Sequence, residues 1–138
     1  MNRMRKVLIA DDEVKVGQLV KRLIQWDRLG LTCIGLVTDG QTAYEKILSE
    51  SPDIVITDIR MPVLTGLEMI QKASEQGVKC HFIVVSGYKY FDYAQKALKY
   101  GVEDYLLKPI DEDELNRQLQ KIVAEEEQRE DKQQQVDQ

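Results

Sequence analysis

Five short apolar runs, each followed by an amphipathic stretch, constrain this chain more than any other feature. Val7-Leu8-Ile9-Ala10 ends at Asp11-Asp12, Thr32 to Val37 follows Gly30, and Ile54-Val55-Ile56 is continuously apolar; Phe82-Ile83-Val84-Val85 and Tyr105-Leu106-Leu107 complete the set. All five predict strands, and Ile54-Val55-Ile56, without polar alternation, predicts one covered on both faces. Val16, Leu19, Val20, Leu23 and Ile24 fall at i, i+3, i+4, i+7 and i+8, the stripe of a first helix. A second helix is predicted from Gly40 to Leu48, stopped before Ser51-Pro52, and a third from the N-cap Thr65 to near Gly77. A fourth runs from Tyr90 to Tyr100 and ends at Gly101. A fifth buries Leu115, Leu119, Ile122 and Val123 behind the candidate N-cap Asp111. This (βα)5 alternation implies an α/β fold: a doubly wound parallel sheet with right-handed crossovers and helices on both faces. Ligands of such sheets bind beyond the carboxyl ends of the strands, at the topological switch point.

The length of 138 residues corresponds to one domain, and 43% apolar with 31% charged residues suits an ordinary soluble protein. No apolar run approaches the ~20 residues of a membrane span. The basic start Met1-Asn2-Arg3-Met4-Arg5-Lys6 is followed by only Val7 to Ala10, too short for a signal-peptide core, so a cytoplasmic location is expected. Cys33 and Cys80 lack metal-ligand spacing and are expected to be reduced, partly buried thiols. Of the net charge of −5, the segment Glu125–Gln138 carries −4, which leaves the rest nearly neutral and without a basic patch for nucleic acid. The expected division is therefore a domain over 1–124 and an acidic, Gln/Glu-rich segment over 125–138. With Val136 as its one apolar residue, that segment reads as an extension of the fifth helix or a solvated linker.

Attention then falls on the strand ends. The first strand ends in Asp11 and Asp12, the third in Asp58, the fourth in Ser86 and the fifth in Lys108. In a parallel sheet these ends share one edge, so three carboxylates, a hydroxyl and an ammonium converge. At an effective dielectric of ~20, two carboxylates ~4 Å apart repel by about 4 kcal/mol. One lysine cannot balance three acids, and a hard divalent cation such as Mg²⁺ suits an oxygen-lined site. An aspartate beside Mg²⁺ and a lysine can act as a nucleophile toward phosphorus. The equatorial oxygens of a transferring phosphoryl group need a metal, an ammonium and a hydroxyl donor, which Asp11/Asp12, Lys108 and Ser86 supply. Singly, each residue has an ordinary explanation, because aspartates after strands cap helices and Lys-Pro forms loops. Their joint occurrence at four strand ends is what points to chemistry.

These residues resemble the receiver domains of bacterial two-component response regulators. The resemblance rests on Ala10-Asp11-Asp12-Glu13, Asp58-Ile59-Arg60-Met61-Pro62 with Gly66-Leu67-Glu68, Val85-Ser86-Gly87, and Asp104-Tyr105-Leu106-Leu107-Lys108-Pro109. It covers roughly Met4 to Ala124 and departs from the family pattern at none of these positions. It implies a flavodoxin-like sheet of strand order 2-1-3-4-5 and a signalling switch rather than an enzyme. By resemblance Asp58 accepts a phosphoryl group from a sensor histidine kinase, and Asp11, Asp12, Asp58 and the backbone carbonyl of Arg60 hold Mg²⁺, with Asp12 a more direct ligand than Asp11. Ser86 and Lys108 bind the phosphoryl group, Tyr105 is the aromatic switch, and the bond before Pro109 is cis. The readout implied is the surface of the fourth helix, fifth strand and fifth helix. There Tyr88, Tyr90, Phe91, Tyr93, Tyr100 and Tyr105 are six of the nine aromatic residues. A finer resemblance, in Ser86-Gly87-Tyr88, Phe91, Tyr93-Ala94, Ala97, the Gly101/Asp104-Tyr105 spacing, Trp26 and Leu29-Gly30, is to regulators with an AraC-type helix-turn-helix output domain. The segment after Glu125 is then the expected start of a linker to such a domain, and homodimerisation on phosphorylation is the expected response.

Three other readings compete. An interaction module that takes no phosphate keeps this fold, but its usual sign is loss of an acid or of the lysine, and all are present. An aspartyl-phosphate hydrolase needs a second catalytic carboxylate and a substrate cap, whereas Arg60 stands two residues after Asp58 and no cap insertion exists. A flavodoxin-like flavin binder would need a phosphate-cradling loop where Asp11-Asp12 stands, and acids without a metal repel phosphate.

Overall fold

Alternation along the strands divides the core into two halves. In the computed structural model, which describes residues 3–87, 92 and 102–137, Val7, Ile9, Ile54, Ile56, Ile83 and Val85 pack into one apolar cluster. Their neighbours Leu8, Ala10, Val55, Phe82 and Val84 pack into the other. Each of these residues is buried, as continuously apolar strands require, whereas Leu36 and Leu107 in the two outer runs are exposed. The elements follow as β1 (Arg5–Ala10), α1 (Val14–Leu23), α2 (Trp26–Leu29), β2 (Leu31–Val37), α3 (Gly40–Glu50), β3 (Ile54–Thr57), α4 (Gly66–Glu75), β4 (His81–Ser86), β5 (Val102–Leu107) and α5 (Glu112–Asp137). The strands form one parallel five-stranded sheet in the order β2-β1-β3-β4-β5. Val20 of α1 and Leu115, Leu119, Ile122 and Val123 of α5 cover one face, and Ala43 and Ile47 of α3 with Met69, Ile70 and Ala73 of α4 cover the other. This is the doubly wound architecture expected from the apolar runs.

The helix starts follow local chemistry. Thr65 and Glu68 form a reciprocal capping box, each side chain accepting from the other's backbone amide at 3.1 Å. Asp39 accepts from the amide of Thr42 at 2.7 Å at the head of α3, and Asp111 accepts from that of Glu114 at 2.9 Å at the head of α5. Gly66 has a different reason. A Cβ there would lie 2.0 Å from the backbone oxygen of Asp58, so only glycine lets α4 start against the loop that follows β3.

Several features depart from the sequence pattern. The four-residue α2 was not expected; it closes on Gly30, whose φ of 68° is left-handed, and the indole of Trp26 donates to the backbone oxygen of Lys21 at 2.7 Å. The pairing of β1 with β2 shifts between Val7 and Leu8, skipping Ile34, whose carbonyl accepts from Nζ of Lys46 at 3.1 Å. The helix α5 runs to Asp137, and Glu126 is buried, so the acidic segment is not wholly solvated. Apart from Asp92, the fourth helix expected from Tyr90 to Tyr100, with Tyr88, Tyr90, Phe91, Tyr93 and Tyr100, lies outside the described residues. Cys33 and Cys80 are free and half-buried, and burial, with the charge of Asp53 adding, pushes the Cys80 thiol up to about 12. Among the described residues no helix is long and apolar enough to cross a membrane.

Val63, in the loop between β3 and α4, has a φ of 70° and is 82% exposed. A β-branched residue in the left-handed region is strained and here gains almost no burial in return. Val63→Asn, which tolerates that conformation, is expected to stabilise the fold by about 1 kcal/mol in denaturant titration.

Candidate functional site

The site is built by the register of β1 against β3. Ala10 pairs with Thr57, so the next residues, Asp11 and Asp58, emerge side by side at the switch point of the sheet. The amide of Asp58 donates to the carbonyl of Ala10 at 2.9 Å, and that of Asp11 to the carbonyl of Val37 at 2.9 Å, which fixes both backbones. Asp11 is 4% and Asp58 7% exposed, whereas Asp12 is open to solvent. Carboxylate oxygens of Asp11, Asp12 and Asp58 all lie within 4.8 Å of one another.

Lys108 reaches this cluster from the end of β5. Its Nζ lies 3.0 Å from Oδ2 of Asp58 and 3.2 Å from Oδ2 of Asp11. Its backbone amide donates to the carbonyl of Ser86 at 2.9 Å, and the following bond to Pro109 is cis, as the resemblance implied. Each aspartate also has one oxygen held by the backbone: Oδ1 of Asp58 accepts from the amide of Ile59 at 2.7 Å, and Oδ1 of Asp11 from that of Glu13 at 2.9 Å.

Ser86 and Tyr105 lie beside the cluster. Ser86 is fully buried and its Oγ meets no hydrogen-bond partner among the described residues. The Tyr105 hydroxyl donates to the carbonyl of Gly87 at 2.9 Å. Burial raises the Tyr105 phenol above its ordinary value, the nearby Ser86 hydroxyl pulls it back, and the charge of Asp58 adds to the rise. That influence of Ser86 reflects proximity, since the two hydroxyls do not reach bonding geometry. Arg60 is exposed two residues beyond Asp58. Thus Asp11, Asp12, Asp58 and Lys108 are in one cluster, with Ser86 and Tyr105 against its flank. In the sequence Gly66 stands out only as part of the Gly66-Leu67-Glu68 pattern. Its close approach to the backbone of Asp58 makes it a supporting residue, signalled by a glycine at the first position of a capped helix.

The electrostatics are unbalanced. Burial pushes the Asp11 carboxyl up, the Glu13 amide draws it down, the charge of Asp58 raises it again, and Lys108 opposes; the result lies above the ordinary value. Burial works against the Lys108 ammonium, but the hydrogen bond and charge of Asp58, with Asp11 adding, outweigh it and hold its pKa high. The oxygen-only donor set and the repulsion between its members fit a hard divalent cation.

A carboxyl whose folded pKa is raised contributes stability fully present below its unfolded value of 3.8 and lost as pH rises through the folded value. At neutral pH, then, ionised Asp11 destabilises the metal-free fold. Asp11→Asn is expected to raise the melting temperature at pH 7 without divalent cations by on the order of a few degrees. The gain should shrink as the pH is lowered toward 4, and thermal scans across that range check it.

Comparison with known proteins places the whole domain in one family. Residues 7–120 match the family described as response regulator receiver domain. The transcriptional regulatory protein YesN of Bacillus subtilis is 46% identical over 122 residues, which cover 88% of this chain and 33% of YesN. The transcriptional regulatory protein HptR of Staphylococcus aureus is 35% identical over 120 residues, which cover 87% of this chain and 47% of HptR. This chain thus spans between a third and a half of the length of these curated relatives. The solved receiver domain of AraT, a response regulator from Geobacillus stearothermophilus, has a TM-score of 0.87 and 36% identity, covering 92% of this chain and 98% of that one. The two-component transcriptional regulator AraC from Clostridium phytofermentans has a TM-score of 0.79 and 30% identity, covering 87% and 93%. The chain belongs to the response regulator receiver domain family of two-component systems.

Proposed function

We propose that this domain is a phosphorylation-dependent switch in which Asp58 accepts a phosphoryl group from a sensor histidine kinase. The observation that carries the reading is the contact of Asp58 with Lys108 at 3.0 Å inside a cluster of three carboxylates. Asp11, Asp12, Asp58 and the backbone carbonyl of Arg60 would hold Mg²⁺, with Asp12 the more direct of the first pair. When bound, the cation supplies neutralisation of charge at the carboxylates and at the incoming phosphoryl oxygens. Oδ2 of Asp58, the oxygen paired with Lys108, is the nucleophile in this reading, and Oδ1 is held by the Ile59 amide. An ionised carboxylate needs no base. Lys108 is positioned to follow the charge as it moves from the carboxylate to the phosphoryl oxygens.

The buried hydroxyl of Ser86 supports the second half of the reading. A buried donor without a partner costs about 1–3 kcal/mol, so the Ser86 hydroxyl would gain by donating to a phosphoryl oxygen within reach. Ser86 moving toward it would alter the space beside Tyr105, whose hydroxyl is tied to the next residue, Gly87. The surface formed by residues 90–100, β5 and α5 is the proposed readout, acting on an output domain or a second copy. Homodimerisation on phosphorylation, an AraC-type DNA-binding output and a cytoplasmic location complete the proposal; the domain itself acts by signalling rather than as an enzyme. Support for the output comes from relatives described as transcriptional regulators and from a solved structural neighbour described as AraC.

Incubation with Mg²⁺ and a small phosphodonor, followed by intact mass, is expected to add one phosphate that Asp58→Asn abolishes. An unchanged mass under conditions that label other receivers would replace the switch with a phosphorylation-independent interaction module. Beryllofluoride is expected to change either self-association or the solvent exposure of Tyr105, measured by sedimentation and tyrosine fluorescence. No response in either would disprove the coupling between the site and that surface.

A further inference from the structure

The strand ends opposite the candidate site carry a second cluster of charges that the switch does not use. Arg5 opens β1, Asp53 directly precedes β3 and His81 opens β4, while Glu126, Arg129 and Glu130 lie on α5. Nη2 of Arg5 donates to Oε1 of Glu130 at 2.9 Å, and Nε2 of His81 lies 2.5 Å from Oε1 of Glu126. The other oxygen of Glu126 pairs with Arg129 at 2.6 Å. Arg3 grips Asp53 with two hydrogen bonds, at 3.0 and 2.8 Å, and lies 4.0 Å from Glu130.

We propose that Arg5, His81, Glu126 and Glu130 form an ionic clamp that positions the C-terminal extension of α5 against the sheet and fixes the direction in which the helix leaves it. The last apolar residue that seats α5 is Val123, and the next apolar residue after Ala124 is Val136. The intervening turns bury no apolar face, and an isolated helix of that length is marginal in water. Among the described residues, contacts of charged and polar side chains are what remain to hold them. Arg5 is only 2% exposed, and its Nε has no partner among the described residues. An apolar residue there would serve stability as well or better, because burying the Arg5 guanidinium costs solvation that one half-exposed partner, Glu130, repays only in part. What the pair adds is direction, since Glu130 satisfies Arg5 in one placement of the helix. Burial raises the Glu126 carboxyl, but His81 and Arg129 outweigh it and keep it below its ordinary value.

The clamp deepens the switch reading and rests on it for its significance. The strand β4 has His81 at one end and Ser86 at the other, so one strand touches both the candidate switch and the helix exit. Arg5, His81, Glu126 and Glu130 are positioning residues in this account and contact no phosphoryl group.

The test is residue-resolved amide hydrogen exchange on the 138-residue chain, comparing wild type with Glu126→Ala/Glu130→Ala and, separately, Arg5→Met. Alanine is a better helix former than glutamate, so lost protection cannot reflect propensity. Amides 127–133 are expected to exchange about tenfold faster or more in both variants, with 115–123 and the strands unchanged. Protection of 127–133 within about twofold of wild type in the double variant overturns the clamp, as does its absence in wild type. If Arg5→Met does not fold, the double variant decides, since both its substitutions lie beyond the apolar seat of α5. Phosphoryl labelling of Asp58 should survive in the double variant. Failed labelling of the wild type with intact protection would remove the switch reading and leave the clamp standing.

Discussion

A strand buried on both faces has room for polar chemistry only at its ends. All four residues of β3 are buried, and the first carboxylate after them is Asp58. The parallel register with β1 then decides which group faces it, because the pairing of Ala10 with Thr57 brings Asp11 alongside. A slip of one residue would turn each apolar side chain to the wrong half of the core, so the alternation that fills the core also fixes the distance between the two aspartates.

Charge at this edge is unbalanced. Two nearly buried carboxylates share one ammonium, and the third carboxylate stands in solvent a few ångströms away. Held against its own repulsion by the sheet, the cluster has standing affinity for positive charge. Backbone amides occupy one oxygen of Asp11 and one of Asp58, which limits the directions from which a cation or a phosphorus centre can approach. Gly66 keeps the head of α4 close behind Asp58, so the loop between them has little freedom to relax.

The strands, their parallel order and the cluster of Asp11, Asp12, Asp58 and Lys108 were legible because apolar runs and the residues that end them are local signals. Caps at Thr65 and Asp111 were legible for the same reason. The short α2 escaped because four residues are too few for periodicity. The skipped residue Ile34 escaped because register against a neighbouring strand is not a local property. The contacts of α5 beyond Val123 escaped most completely: Arg5 and Glu130 are 125 residues apart in sequence, and charged residues read one at a time resemble a solvated surface. The aromatic-rich stretch from Tyr88 to Tyr100, expected to be a helix, lies outside the described residues apart from Asp92.

The interruption between β1 and β2 has a consequence for how these molecules behave in company. Being the outer strand, β2 presents its free side to any neighbouring chain. Extended backbone at a sheet margin is a template on which another copy can continue the ladder. Here the ladder is broken at Ile34, and the ammonium of Lys46, itself paired with Glu50 at 2.5 Å, sits on the carbonyl of that residue. An incoming strand would have to displace a charge and match an irregular spacing. Both features work against open-ended sheet growth at this margin.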